Sequence, residues 1–129
     1  MFFQIDFHNG LAVYDQVVRQ VKFAVAAGLL AEGNLVPSVR ELAGELAINP
    51  NTVSRAYRQL QDDGVLTNVR GTGLAVAQGA AERCQNQRLD LIRARLEQVF
   101  LEAGQSRLDP ATLRALVEQQ LAAIEAKKT

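Results

Sequence analysis

The 129-residue chain carries 14 Lys plus Arg against 14 Asp plus Glu, so its formal net charge is zero and no global field marks a polyanionic or polycationic partner. Hydrophobic residues make up 48% and charged residues 22%, which excludes a disordered, collagenous or membrane-spanning chain and fits one folded domain with an appendage. One cysteine, Cys84, and one histidine, His8, leave no internal disulfide and no set of zinc ligands, so no metal or cofactor is expected.

Met1 to Asn9 lack a basic cluster followed by a long apolar stretch, so no secretory leader is expected. The longest apolar run, Phe23 to Ala31, is interrupted by Gly28 and falls far short of the roughly 20 residues that cross a bilayer. A cytoplasmic location is therefore expected.

Phe3, Ile5 and Phe7 alternate with Gln4 and Asp6, the period of a short strand or extended lead-in, and Asn9-Gly10 turns the chain. Tyr14, Val17, Val18, Val21, Ala24 and Val25 then recur at helical spacing, with Gly28 at the end. Gly33 and Pro37 punctuate a loop. Ser38 with Glu41 three residues later forms a capping box, in which each side chain satisfies an orphaned backbone donor. Val39, Leu42, Ala43 and Leu46 make the inward face of that helix.

After Ala47 and Ile48, Asn49 is an N-cap and Pro50 occupies the first helical position, where a missing N–H costs nothing. The new helix turns Val53, Ala56, Tyr57 and Leu60 inward and stops at Gly64. Two short helices joined so tightly read as helix-turn-helix. Val65 to Val69 and Leu74 to Ala77 are strand-like and flank Arg70-Gly71-Thr72-Gly73, which makes a hairpin wing.

At 100 degrees per residue, Asn51, Ser54, Arg55 and Arg58 cluster opposite the inward face of the second motif helix. Each donates hydrogen bonds; Arg offers guanine, and Asn offers adenine, a bidentate partner in the major groove. Asp62 and Asp63 fall at the far end, which suits a helix that enters the groove by its N-terminal residues. Arg40 lies one helix earlier, where the first motif helix crosses the sugar-phosphate backbone. The wing tip combines one cation with little bulk, compatible with a minor groove and equally with an ordinary turn.

Gln78 to Gln87 is polar and small, and only helical patterns follow, so a boundary is expected between residues 78 and 79. Leu89, Ile92, Leu96, Val99 and Phe100 form one stripe. Asp109-Pro110 starts another helix that carries Leu113, Leu116, Val117, Leu121 and Ile124, with Lys127 and Lys128 where a helix C-terminus favours cations. Two such helices enclose little core, so their stripes pack on a second protomer or fold back on the winged domain, and the dimer is the favoured reading.

The run Pro37-Ser38-Val39-Arg40-Glu41-Leu42-Ala43, then Asn49-Pro50-Asn51-Thr52-Val53-Ser54-Arg55-Ala56-Tyr57, then Gly64 and Arg70-Gly71-Thr72-Gly73, resembles the GntR family of bacterial transcription regulators. The likeness spans roughly Val13 to Ala77, with Tyr14-Asp15-Gln16-Val17 at the entry to the first helix. Ala12 replaces a common proline, Val36 a leucine, and Leu74-Ala75 a more usual Thr or aromatic after the wing glycines. The resemblance implies that Arg40, Asn51, Thr52, Ser54, Arg55 and Arg70 contact DNA while Gly71 and Gly73 shape the wing around Thr72; Arg58 is added from the helical wheel alone.

The short tail resembles the YtrA-like subfamily, in which it implies dimerisation and control of genes for ABC-type transporters. It is too short for a large effector domain or for an aminotransferase-like extension, so no pyridoxal phosphate enzyme is implied. The expected architecture is mostly α with a small β-hairpin: a winged helix-turn-helix domain followed by a two-helix dimerisation tail. Its expected partner is a double-stranded operator bound by a homodimeric repressor, with the effector unassigned. The rival reading, a winged-helix module that binds protein, draws on the zero net charge; salt separates the two, because DNA binding weakens steeply with ionic strength. Catalysis is not expected, since His8 has no nucleophile beside it and Gly71-Thr72-Gly73 lacks the lysine of a phosphate loop.

Overall fold

Val17, Val18, Val21 and Val25 all turn inward from α1 (Val13–Ala26), each at most 6% exposed, as their spacing dictates. Gly28, at φ 81°, takes the chain out of the helix through the left-handed region. The computed structural model describes residues 4–127. Phe3 and Lys128 lie outside them, and the alternation at Ile5 and Phe7 produces no strand. Side-chain amides of α1 take the place of a neighbouring strand. Gln20 accepts from the Gln4 N–H at 3.1 Å and donates to the Gln4 carbonyl at 2.7 Å. The buried Gln16 does the same for Asp6, at 2.9 and 2.6 Å.

The capping box forms as expected: Ser38 Oγ accepts from the Glu41 N–H at 3.1 Å, and Glu41 Oε1 accepts from the Ser38 N–H at 3.4 Å. They open α2 (Val39–Leu46). Ala47, at φ 54°, supplies the sharp reversal after it, and Asn49 Oδ1 accepts from the Asn51 N–H at 2.8 Å to start α3 (Pro50–Asp62). Leu42 and Ala43 of α2 meet Val53, Ala56, Tyr57 and Leu60 of α3 in one core with the valines of α1. Tyr57 Oη also donates to the Pro37 carbonyl at 2.8 Å, which pins α3 to the segment ahead of α2.

The hairpin pairs β1 (Leu66–Val69) with β2 (Gly73–Val76), and Val69 faces Gly73 at the tip. The loop expected between Gly33 and Pro37 is partly a third sheet segment. Leu35 pairs with Ala75, and β2 exchanges hydrogen bonds with it at 2.9 Å, from the Val36 N–H to the Leu74 carbonyl and from the Val76 N–H to the Asn34 carbonyl. The wing is thereby tied to the residues that lead into α2.

The next helix, α4 (Ala80–Gln105), starts inside the polar stretch that reads as a boundary. Ala80 and Cys84 lie one turn apart and are fully buried. Arg83 Nη2 donates to the carbonyls of Gly64 at 2.7 Å and Gln78 at 2.9 Å, and Gln85 donates to the Ala26 carbonyl at 3.3 Å. The start of α4 thus belongs to the core of the winged unit. The chain divides into two compact units after Leu89, further along than the change in composition at Gln78.

The second unit holds the rest of α4 and α5 (Pro110–Lys127). Arg107 adopts φ 58° between them, with the Leu108 N–H returning to the Ala103 carbonyl at 3.0 Å in a left-handed helix ending. Asp109 then caps α5: its Oδ2 accepts from the Thr112 N–H at 3.1 Å and its Oδ1 from the Thr112 hydroxyl at 2.6 Å, holding the carboxyl below its ordinary range. None of the described residues of α5 is buried.

Candidate nucleic-acid interface

The register of α3 fixes what it offers outside. Val53, Ala56, Tyr57 and Leu60 are at most 2% exposed, so one side of the helix is committed to the core. Asn51, Arg55 and Arg58 stand exposed on the opposite side, and Thr52 and Ser54 are half-buried beside them. Burial first, and then the negative charges of Glu45 and Glu41, push the Tyr57 phenol well above its ordinary value, so it remains a neutral donor at the root of the helix.

Among the described residues, the guanidinium groups of Arg40, Arg55, Arg58 and Arg70 have no hydrogen bond or ion pair to a protein acceptor. By contrast, Arg19, Arg83 and Arg93 each engage a carboxylate or a carbonyl. The expected contact arginines therefore retain their donors for something outside the chain. Arg40 is exposed in the first turn of α2, beside the capping box. The acids that sequence places at the far end of α3 are partly occupied, since Asp63 accepts from Lys22 at 2.8 Å and from Gln59 at 3.0 Å.

Arg70, Gly71, Thr72 and Gly73 are exposed at the hairpin tip, where the Thr72 N–H donates to the Val69 carbonyl at 2.9 Å. Gly71 sits at φ 76°, and a Cβ there would meet no atom within 4 Å, so backbone conformation, not crowding, calls for glycine. The tip is slim for the same reason.

One member of the stripe has a partner that sequence periodicity does not reveal. Arg55 Cζ lies 3.7 Å from the centroid of the Tyr14 ring. The spacing of Tyr14 reads simply as part of the apolar stripe of α1, and an aromatic in that register gives no local sign of what crosses it. The structure leaves Tyr14 half-buried, packed against the core and covered on its outer face by Arg55.

Leu89, which ends the first unit, and Ile92, Leu96, Val99, Phe100, Leu116, Leu121 and Ile124 of the tail are 40–62% exposed, and Leu113 and Val117 are half-buried. Phe100, Pro110, Leu113, Arg114 and Val117 line a shallow apolar depression. So much aliphatic surface along two helices is more than a single chain usually leaves in water. Cys84 is different: its side chain is fully buried, and burial raises its thiol pKa against the opposing pull of Lys22 and Arg83. No helix of the described residues is long and apolar enough to cross a membrane, and none of their acidic, His or Cys side chains cluster so as to hold a metal ion.

Three packed helices, a tight turn between the second and third, a β-hairpin wing and a cationic stripe whose arginines find no hydrogen-bond acceptor among the described residues define a winged helix-turn-helix domain. The family of bacterial regulatory proteins called GntR matches residues 13–76. The chain is 30% identical over 125 residues to the HTH-type transcriptional repressor YtrA of Bacillus subtilis, a match that takes in 97% of this chain and 96% of that relative. A GntR family transcriptional regulator from Listeria monocytogenes superposes with a TM-score of 0.65 at 29% identity, over 88% of this chain and 98% of the other. YtrA from Sulfolobus acidocaldarius, a GntR-family transcription factor, gives a TM-score of 0.59 at 27% identity, over 78% and 99% of the two chains.

The chain belongs to the GntR family and is a DNA-binding transcription regulator of the YtrA-like kind, not an enzyme. The match to the Bacillus relative runs through the tail as well as the winged unit.

Proposed function

We propose that the protein is a cytoplasmic homodimeric repressor that occupies a palindromic operator, with the outward stripe of α3 in the major groove and the wing tip at the neighbouring minor groove. The observation that carries this reading is the pairing on α3 of a fully committed apolar side with an opposite side whose arginines have no acceptor among the described residues. In the roles we assign, Arg55, Arg58 and Asn51 face base edges, and Thr52 and Ser54 hold the helix N-terminus against the backbone. Arg40 and Arg70 meet phosphate or minor-groove edges, with Gly71, Thr72 and Gly73 giving the wing its reach.

The exposed aliphatic residues of α4 and α5 support a second copy of this chain as their cover, and a twofold pair of winged units suits two half-sites about one duplex turn or a multiple apart. Repression follows the Bacillus relative, a transcriptional repressor, and control of transporter genes follows the YtrA-like resemblance. With zero net charge, a single protomer has little non-specific hold on DNA, and a dimer doubles its phosphate contacts.

The test is to select bound genomic fragments with the purified full chain and to titrate the recovered duplex by fluorescence anisotropy at several salt concentrations. A symmetric site whose affinity falls steeply with salt is expected. Absence of an enriched site, or binding indifferent to salt, contradicts the reading.

A further inference from the structure

We propose that Tyr14 is a positioning residue for DNA recognition: its ring is a platform that holds the Arg55 guanidinium in the plane and direction in which it reads a base. The inference rests on the proposed role of α3 and adds to it a side chain from another helix. Three observations carry it. Cζ of Arg55 lies 3.7 Å from the Tyr14 centroid, the separation of a guanidinium laid flat on an aromatic face. Tyr14 is seated in the first turn of α1 and packs against the buried core, so the platform is fixed. Finally, the Arg55 N–H groups meet no acceptor among the described residues, so stacking uses the face of the group and leaves its hydrogen-bonding edge open.

Physical necessity favours such a device. An exposed arginine has many rotamers, and a bidentate contact with guanine requires one orientation of a planar fork. A stacked ring lowers the number of orientations before DNA arrives, and the complex then forms with less side-chain ordering. A cation that only neutralises phosphate needs no such alignment.

The probe is the duplex enriched from a randomised library by the full wild-type chain, compared with a shuffled duplex of the same composition. Tyr14→Met keeps apolar bulk against the core and removes the ring; it is expected to weaken binding to the enriched duplex by about 3- to 10-fold while leaving the shuffled duplex nearly unchanged. Tyr14→Phe is expected to bind as wild type. In an Arg55→Ala background, Tyr14→Met is expected to add no further loss.

Equal loss with and without Arg55, or a Tyr14→Phe defect as large as that of Tyr14→Met, overturns the inference and makes Tyr14 a structural residue or a direct DNA contact. An Arg55→Ala defect with normal Tyr14→Met binding overturns this inference alone. Full binding by Arg55→Ala overturns the proposed role of Arg55 as well. Should Tyr14→Met not fold, the free wild-type chain still decides: the Arg55 side-chain protons are expected to be shifted upfield by the ring current, and their absence from that position overturns the stack.

Discussion

Lys22 on α1 and Asp63, the residue that closes α3, meet at 2.8 Å with side chains only 10% and 25% exposed. The pair ties the helix that would read DNA to the helix that backs it. Removing one partner leaves the other charge poorly solvated, so Asp63→Ala is expected to cost about 2–3 kcal/mol, below the full penalty of a wholly buried pair. Lys22→Met combined with Asp63→Leu is expected to cost less than either single change. Urea midpoints at constant slope check both; a loss for Asp63→Ala of under about 0.5 kcal/mol would place the pair among ordinary surface contacts.

The tail can be tested apart from the winged unit. Leu116 is 45% exposed on α5 in the single chain, so a charge there costs the protomer little and a shared interface much. Leu116→Asp is expected to give a monomer in sedimentation with an unchanged circular dichroism spectrum, together with a lower affinity for the selected duplex. An unchanged dimer would remove the apolar residues of α5 from the interface.

The exposed arginines differ in what they are expected to lose. Arg58→Ala is expected to cost about 1–3 kcal/mol on the selected duplex and little on a shuffled one if it faces a base edge. Arg40→Ala should weaken both duplexes alike and reduce the salt slope by about one ion. Exchange of the two patterns would exchange the two assignments.

Alkaline pH probes the core beneath the site. The Cys84 thiol is raised above its ordinary value of 9.0 by burial, and the Tyr57 phenol above 10.0 by burial and then by Glu45 and Glu41. Each is neutral in the fold and ionises more readily in the unfolded chain. Their stabilising contribution is therefore complete below pH 9 and is lost as pH rises through 9 and then 10. Thermal midpoints from pH 7 to 11 are expected to fall in that order, and Cys84→Ala to blunt the first stage. In native buffer, thiol reagents are expected to label Cys84 only as fast as the chain opens.

How much of this was legible in the sequence depends on how local each signal is. The Ser38–Glu41 box, the Asn49-Pro50 start, the Arg70–Gly73 tip and the Asp109-Pro110 start are all written within four residues, and each appears where expected. The side chains that combine distant elements are not. Lys22 and Asp63 are 41 residues apart, and neither position carries a mark of the other. The same holds for the bridge between Leu35 and Ala75 and for the ring under Arg55.

The start of α4 was obscured for another reason. Ala80, Ala81 and Cys84 bury a narrow face with small side chains, and the neighbouring Glu82, Arg83 and Gln85 make the composition look like a linker. The alternating Ile5 and Phe7 misled in the opposite sense, since amides of Gln16 and Gln20 satisfy the backbone that a strand neighbour would otherwise pair.

The most direct test of whether the outward stripe of α3 meets DNA is amide chemical-shift mapping of the labelled full chain during titration with the selected duplex. The expected result is perturbation concentrated at residues 38–40, 51–58 and 70–73, with Arg55 and Arg58 side-chain signals among the most affected. Perturbation confined to other surfaces, with α3 unmoved at saturation, would contradict the proposed mode of binding.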